Sequence, residues 1–525
     1  MSERGSITRS AGTVGGLTLL SRAAGLGRDM VFASLFGADR AADAFNIAFV
    51  IPNVLRRFLA EGALSVAFVP VFTEVRTQQT RAELQRLFST TFSWFSLLLL
   101  VVCGAGVLAS PALVKLFAPG FPPDKFALAV FLNRLMFPYL FLIGLTSLAV
   151  GILHTHRHFA APAAAPVLLN AAIIASALAL YDAVEPPISA MAIGVLAGGL
   201  LQLLLMWPFL RARGVRLRPR FERGHPAVGK MLRLMGPAAF GMAVYQVNIL
   251  VSKALASLLP EGSVTYIYYS DRFMELPLGV FAVAVATVVL PSLSEHAAQH
   301  QQQRFKSTLR WALELTLLVC IPAMVWMAVC REGLIATLLQ RGRFDHGDTL
   351  ATAQVFLAAA AGIWAVAGVR NLVPAFYALG DTKTPVKIAF AAFLLNAGLG
   401  AALMWPLGPA GLTAANSISS AFSFILLIAM LRRKIGPLGG RALWRASWRI
   451  GLAAAAAGAA AWPLAATPLW AVDGALGGKL LRPALCIAAA GAIGAKDLAY
   501  YVPMATAFEM LHIASLAHDD VIDRA

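Results

Sequence analysis

Apolar stretches of about 20 residues, each long enough to cross a hydrocarbon core, recur along almost the whole chain. One soluble core would not need so many separate runs. A chain that crosses a bilayer repeatedly has to hydrogen-bond its own backbone there, so the fold class expected is an all-α membrane protein. Only 13% of the 525 residues are charged and 59% are hydrophobic, against about 25% charged in soluble chains. Spans are expected near 12–36, 40–58, 62–74, 88–110, 127–153, 160–181, 187–210, 232–258, 272–293, 308–329, 351–379, 386–406, 409–431 and 448–470. The run 40–74 reads either as two spans or as one span followed by a re-entrant or amphipathic piece, and the count adopted is thirteen.

The net charge of +17 does not require nucleic acid, because basic residues collect in the cytoplasmic loops of membrane proteins. Basic loops hold Arg76, Arg81 and Arg86; Arg211 to Arg233; Arg304, Lys306 and Arg310; Lys383 and Lys387; and Arg432 to Arg449. The loops between them are poorer, apart from one with Arg331, Arg341 and Arg343. This alternation puts the N-terminus in the cytoplasm. Met1–Gly16 is short and polar and leads into a charged first span, unlike a cleaved signal peptide. The cysteines, Cys103, Cys320, Cys330 and Cys486, form no CxxC pair, so no metal site or disulfide framework is indicated.

Short words repeat. Val69-Pro70-Val71-Phe72-Thr73-Glu74 resembles Leu290-Pro291-Ser292-Leu293-Ser294-Glu295, an offset of 221 (291 − 70). Leu168-Leu169-Asn170 recurs as Leu394-Leu395-Asn396, downstream of Pro162 and Pro385 respectively. Two six-helix lobes in tandem are therefore expected, 1–220 and 221–435, followed by an additional helix at 436–472.

Charges inside spans are costly, about 2.5–3.5 kcal/mol each on insertion scales, so they usually face a cavity. The first span carries Arg22, Arg28 and Asp29; the second ends in Arg56 and Arg57 with Glu61 beyond; the ninth opens with Asp271, Arg272 and Glu275. Arginine stays charged and its fork binds phosphate oxygens in pairs. Arg22, Arg28, Arg56 and Arg272 are thus a candidate diphosphate cradle, balanced when empty by Asp29, Glu61 and Glu275. Arg57 reads as an interfacial, snorkelling arginine. Asp29 follows Arg28 directly, so the two are not expected to face each other. Phe344–Asp348 has metal-ligand residue types but reads as a solvated loop, and Gly380–Pro385 as a turn capping a helix. No Walker loop and no HExxH motif occurs, so no ATP site and no cofactor is expected. Transport would then be driven by an ion gradient, the membrane potential or substrate consumption.

The same stretches resemble the MurJ (MviN) family. The words are Ser21-Arg22 with Gly25 and Arg28-Asp29, Ala42-Asp43-Ala44-Phe45, Pro52-Asn53 through Arg56-Arg57, Ala60-Glu61-Gly62-Ala63, Ala118-Pro119-Gly120-Phe121, Tyr268-Tyr269 with Asp271-Arg272 and Met274-Glu275, and Thr384-Pro385-Val386-Lys387. The resemblance covers roughly 5–470. It implies the exporter-superfamily flippase fold and an inner-membrane flippase for lipid II, the undecaprenyl-diphosphate-linked peptidoglycan precursor, working by alternating access. It also implies substrate contacts at Arg22, Arg28, Arg56 and Arg272. Lipid II and membrane lipids are the partners expected, with cell-wall synthesis proteins as further candidates and no nucleic acid. The alternative is a transporter of the same superfamily for another lipid-linked glycan or a drug. The family's fourteenth span is absent or replaced here.

From 473 to 525 the chain resembles the N-terminal part of a trans-polyprenyl diphosphate synthase. Gly477-Gly478-Lys479-Leu480-Leu481-Arg482-Pro483 matches one signature, and His518-Asp519-Asp520-Val521-Ile522-Asp523 the first aspartate-rich motif. Lys479, Arg482 and His512 match isopentenyl-diphosphate positions, and Asp519, Asp520 and Asp523 match Mg²⁺-holding carboxylates. The second aspartate-rich motif is missing, so a short helical fragment without synthase activity is expected, with Mg²⁺ relevant only if it retains binding.

Overall fold

The computed structural model describes residues 3–465 except 59–63, 216–217, 223–224, 280–282 and 439. Every regular element among them is a helix. They run α1 (Glu3–Phe36), α2 (Arg40–Arg56), α3 (Leu64–Gln78), α4 (Arg81–Leu108), α5 (Ser110–Phe117), α6 (Pro123–Met136), α7 (Tyr139–Thr155), α8 (Ala160–Leu180) and α9 (Ser189–Ala212). After these come α10 (Pro226–Ala256), α11 (Ser263–Pro277), α12 (Val283–Ala298), α13 (Gln302–Leu339), α14 (His346–Ala360), α15 (Ile363–Ala378), α16 (Lys383–Leu407), α17 (Pro409–Ile435) and α18 (Gly440–Ala465). Among the described residues, seven helical stretches are long and apolar enough to cross a membrane, and α14 with α15 makes an eighth, bent by 41°. The helices outside that set include α1, α2 and α11. These carry Arg22, Arg28, Asp29, Arg56 and Arg272.

The 40–74 run is two helices, α2 and α3, with residues between them outside the description. The expected ninth span, 272–293, is likewise divided between α11 and α12. Pro70 lies inside α3 and Pro291 inside α12, so the repeated words fall on equivalent helices in the order.

Two interruptions are repaired from neighbouring helices. Pro52 inside α2 has no N–H to give to the carbonyl of Ala48. Asn133 Nδ2 of α6 donates to that oxygen at 3.0 Å, while its Oδ1 accepts from Ser110 Oγ at 2.9 Å. Between α14 and α15 the Gly362 N–H reaches back to Ala359 O rather than Ala358 O. Ser417 Oγ of α17 donates to Ala358 O at 2.8 Å, and a Cβ on Gly362 would stand 2.5 Å from that hydroxyl oxygen.

Packing divides the described chain into two compact units. One is Met1–Thr265 with Gly342–Phe344; the other is Tyr266–Arg341 with the described residues from Asp345 onward. Helix α10 belongs with the first, where it packs on α3, α4 and α5. The division by packing therefore falls after the 220/221 boundary that the repeat suggests. In the first unit, the loop before α10 is fastened to α4: Arg86 pairs with Glu222, Trp94 Nε1 donates to Glu222 O at 3.0 Å, and Ser93 Oγ accepts from Arg220 N at 2.8 Å. The bond from Arg86 holds the Glu222 carboxyl below its usual range. In the second unit, α18 lies along α13, with Ile450 against Leu318 and Gly458 facing Val325.

Close helix pairs use glycine where backbones meet. On α9, a Cβ at Gly194 would lie 2.7 Å from Ile173 Cα of α8, and one at Gly198 2.9 Å from Leu169 Cα. Gly194→Leu is expected to overpack this contact by about 1–3 kcal/mol and lower the thermal unfolding midpoint in detergent. Gly104→Leu, where nothing lies within 4 Å, should leave that midpoint unchanged.

Candidate functional site

In the first unit the expected arginines lie on two helices. Arg22 is half-buried on α1, six residues before Arg28. Arg28 is 9% exposed and Asp29 3%. Contrary to expectation, these neighbours pair directly: Arg28 Nε and Nη2 both donate to Asp29 Oδ1, at 3.1 and 2.6 Å. Adjacent residues on a helix do point apart, but three methylenes let a guanidinium fold back along the helix. Away from water the gain from neutralising a charge is larger than at a surface. Arg56 is half-buried near the end of α2, its Nε donating to Asn53 Oδ1 at 3.1 Å. Glu61 lies outside the described residues.

In the second unit Arg272 stands in the later part of α11, not at the opening of a span as the sequence boundary implied. Its Nη1 donates to Glu275 Oε2 at 3.3 Å, one turn on, and its guanidinium lies 5.9 Å from the Tyr268 ring centroid. Glu275 is exposed, so the pair is a weakly held one. Arg28, Arg56 and Arg272 each bond to a side chain of their own helix. A phosphate could take such a partner's place.

Sequence reasoning missed the most completely coordinated carboxylate of the first unit. Asp43 of α2, 1% exposed, accepts four bonds. Lys125 Nζ and Gly262 N reach Oδ2 at 2.6 and 2.9 Å; Thr265 N and Oγ1 reach Oδ1 at 2.9 and 2.7 Å. Asn46 Nδ2 donates to the same threonine oxygen at 3.1 Å. Asp43 had been noted only as part of a family word, and its partners stand far away in sequence, so no local spacing reveals the pair. Arg370 of α15 was also missed, although it sits inside the expected span 351–379, where the rule used for the other charges would have found it.

The Phe344–Asp348 segment is not simply a solvated loop. Phe344 is buried, Asp345 and Asp348 form a capping box at the start of α14, and Tyr266 Oη donates to Asp348 Oδ1 at 2.8 Å. In the turn before α16, Asp381 Oδ1 accepts from Lys383 N and Thr384 N at 3.1 and 3.0 Å. The bond from Lys434 holds its carboxyl well below the usual range. No group of three metal-ligating side chains occurs among the described residues. Lys479, Arg482, His512, Asp519, Asp520 and Asp523 lie outside them.

Helices of this length, with arginines held in their interior stretches, are the make-up of a polytopic transporter, and solved structures bear out the class. The fold matches an inward-facing conformation of a multidrug resistance MATE family transporter of the MOP superfamily with a TM-score of 0.66. At 13% identity over 81% of this chain and 98% of that one, this is a likeness of fold alone. It matches "Lipid II flippase MurJ, inward closed conformation" with a TM-score of 0.76 and 26% identity, covering 94% of this chain and 99% of that one. A probable lipid II flippase MurJ of Vibrio cholerae is 37% identical over 88% of this chain and 90% of its own length. The family model for lipid II flippase MurJ matches residues 32–476. The chain belongs to the lipid II flippase MurJ family; it is a multi-pass membrane transporter and not an enzyme. A second model, polyprenyl synthetase, matches residues 471–525.

Removing one partner of a buried pair leaves an uncompensated charge, at about 3–5 kcal/mol. Asp43→Ala is expected to destabilise the purified protein on that scale. The double variant Asp43→Leu with Lys125→Met should recover most of the loss in the same thermal melt.

Proposed function

We propose that the chain moves lipid II from the cytoplasmic to the periplasmic face of the inner membrane by alternating access. Arg22, Arg28, Arg56 and Arg272 bind its diphosphate, and Asp29, Glu61 and Glu275 balance the arginines between cycles. The observation that carries this reading is Arg28, a guanidinium buried in α1 of a membrane transporter and folded onto Asp29. Its fork matches phosphate oxygens, and an arriving diphosphate exchanges one anionic partner for another without leaving the arginine bare. Family membership supports the substrate.

The basic loops support an N-terminus in the cytoplasm, and the repeated words support lobes at 1–220 and 221–435, with a further helix at 436–472. The segment 473–525 is read as related to polyprenyl synthetase, with Lys479, Arg482, His512, Asp519, Asp520 and Asp523 at that family's motif positions.

The test is complementation in cells depleted of their own lipid II flippase, with lipid II assayed at the periplasmic face. The full chain and a version ending at Ala471 should both restore it. Arg272→Ala, and Arg28→Ala combined with Asp29→Asn so that no buried carboxylate is stranded, should abolish flipping while protein abundance in the membrane is unchanged. Normal flipping by both variants sinks the diphosphate assignment.

A further inference from the structure

Arg370 stands at the middle of α15 and is exposed. It has no hydrogen bond and no ion pair among the described residues, and the buried Cys320 of α13 lies within its electrostatic reach. Helix α15 packs on α12, α13 and α17. Ile363, Ala365, Ala367, Gly368, Asn371, Leu372, Ala375 and Phe376 supply its buried sides. The open stripe that remains runs through Arg370 and Tyr377, flanked by the half-buried Val366 and Pro374. Pro374 is four residues after Arg370 and brings no N–H to the Arg370 carbonyl. One residue of this helix therefore carries two polar groups, a guanidinium and a backbone oxygen lacking its helical donor.

Either group facing lipid is unfavourable, and the usual escape for an arginine is to snorkel to the nearer interface. Side chains on a helix lean toward its N-terminus. From Arg370 that direction leads toward the Gly362 break, away from the Leu379–Thr382 turn about 12 Å along the axis. Snorkelling toward that turn runs against the geometry of the helix. Arg134 of α6 offers the contrast. It is also exposed, but its helix starts at the loop ending in Pro122, so the same lean carries it toward the near interface.

We propose that Arg370 lines the polar transport path of the second unit and binds an oxyanion of the lipid-linked substrate, a phosphate or a carboxylate. The inference rests on the flippase reading above and adds a residue to it.

Two measurements on the full chain decide the matter. In a version with its four cysteines replaced, Arg370→Cys should react with a membrane-impermeant thiol reagent applied to intact cells or to inverted vesicles. Phe390→Cys on the outward face of α16 should not. Purified wild type, Arg370→Ala and Arg370→Lys are then compared for binding of lipid II and of undecaprenyl diphosphate. Arg370→Ala should weaken binding about tenfold, and Arg370→Lys should retain part of it. Loss for both ligands assigns the phosphate; loss for lipid II alone assigns a carboxylate of its head group. An unreactive Arg370→Cys overturns the proposal, as does a reactive one whose alanine counterpart binds both ligands normally. If the wild type binds neither ligand, the flippase reading itself fails and takes this inference with it.

Discussion

A peptide group inside a bilayer has no water to bond with, so the protein itself must supply every donor and acceptor. The helices of this chain follow from that demand, and so do the points where they touch. Where Pro52 removes a donor from α2, an asparagine arrives from α6; where α14 breaks before α15, a serine arrives from α17. Each repair fixes which helix stands next to which, and at what height. Glycine then lets the backbones approach, as along α8 and α9.

Charges obey the same demand at higher stakes. Asp43 is surrounded by four donors and is a structural joint of the first unit. Arg28 and Arg272 are held differently. Each leans on a carboxylate of its own helix, one or three residues away. Burial does not separate the two arrangements, since Arg28 and Asp43 are both buried.

Much of this was legible in the sequence because hydropathy is a local property. The helices fall where apolar runs fall, and the arginines stand out because an apolar stretch makes any charge conspicuous. That Arg272 stands in the later part of α11 was not legible, since hydropathy alone does not mark where that helix begins. Nor was the Asp43–Lys125 pair, whose members lie on separate helices. The Arg28–Asp29 pair was misjudged because spacing rules describe where side chains start, and a long side chain can end elsewhere. Glu61 and the 473–525 segment lie outside the described residues, so the roles read for them rest on sequence.

The asparagine that serves the Ala48 carbonyl also accepts from Ser110 at the start of α5. Helix α2 and the consecutive helices α5 and α6 thereby share one side chain. Withdrawing any of them strands a buried polar atom on another. The kinked half of α2, the start of α5 and the end of α6 should therefore open together or not at all, as a single cooperative unit in hydrogen exchange. A proline that looks like a point of weakness in α2 instead makes the surrounding helices depend on one another.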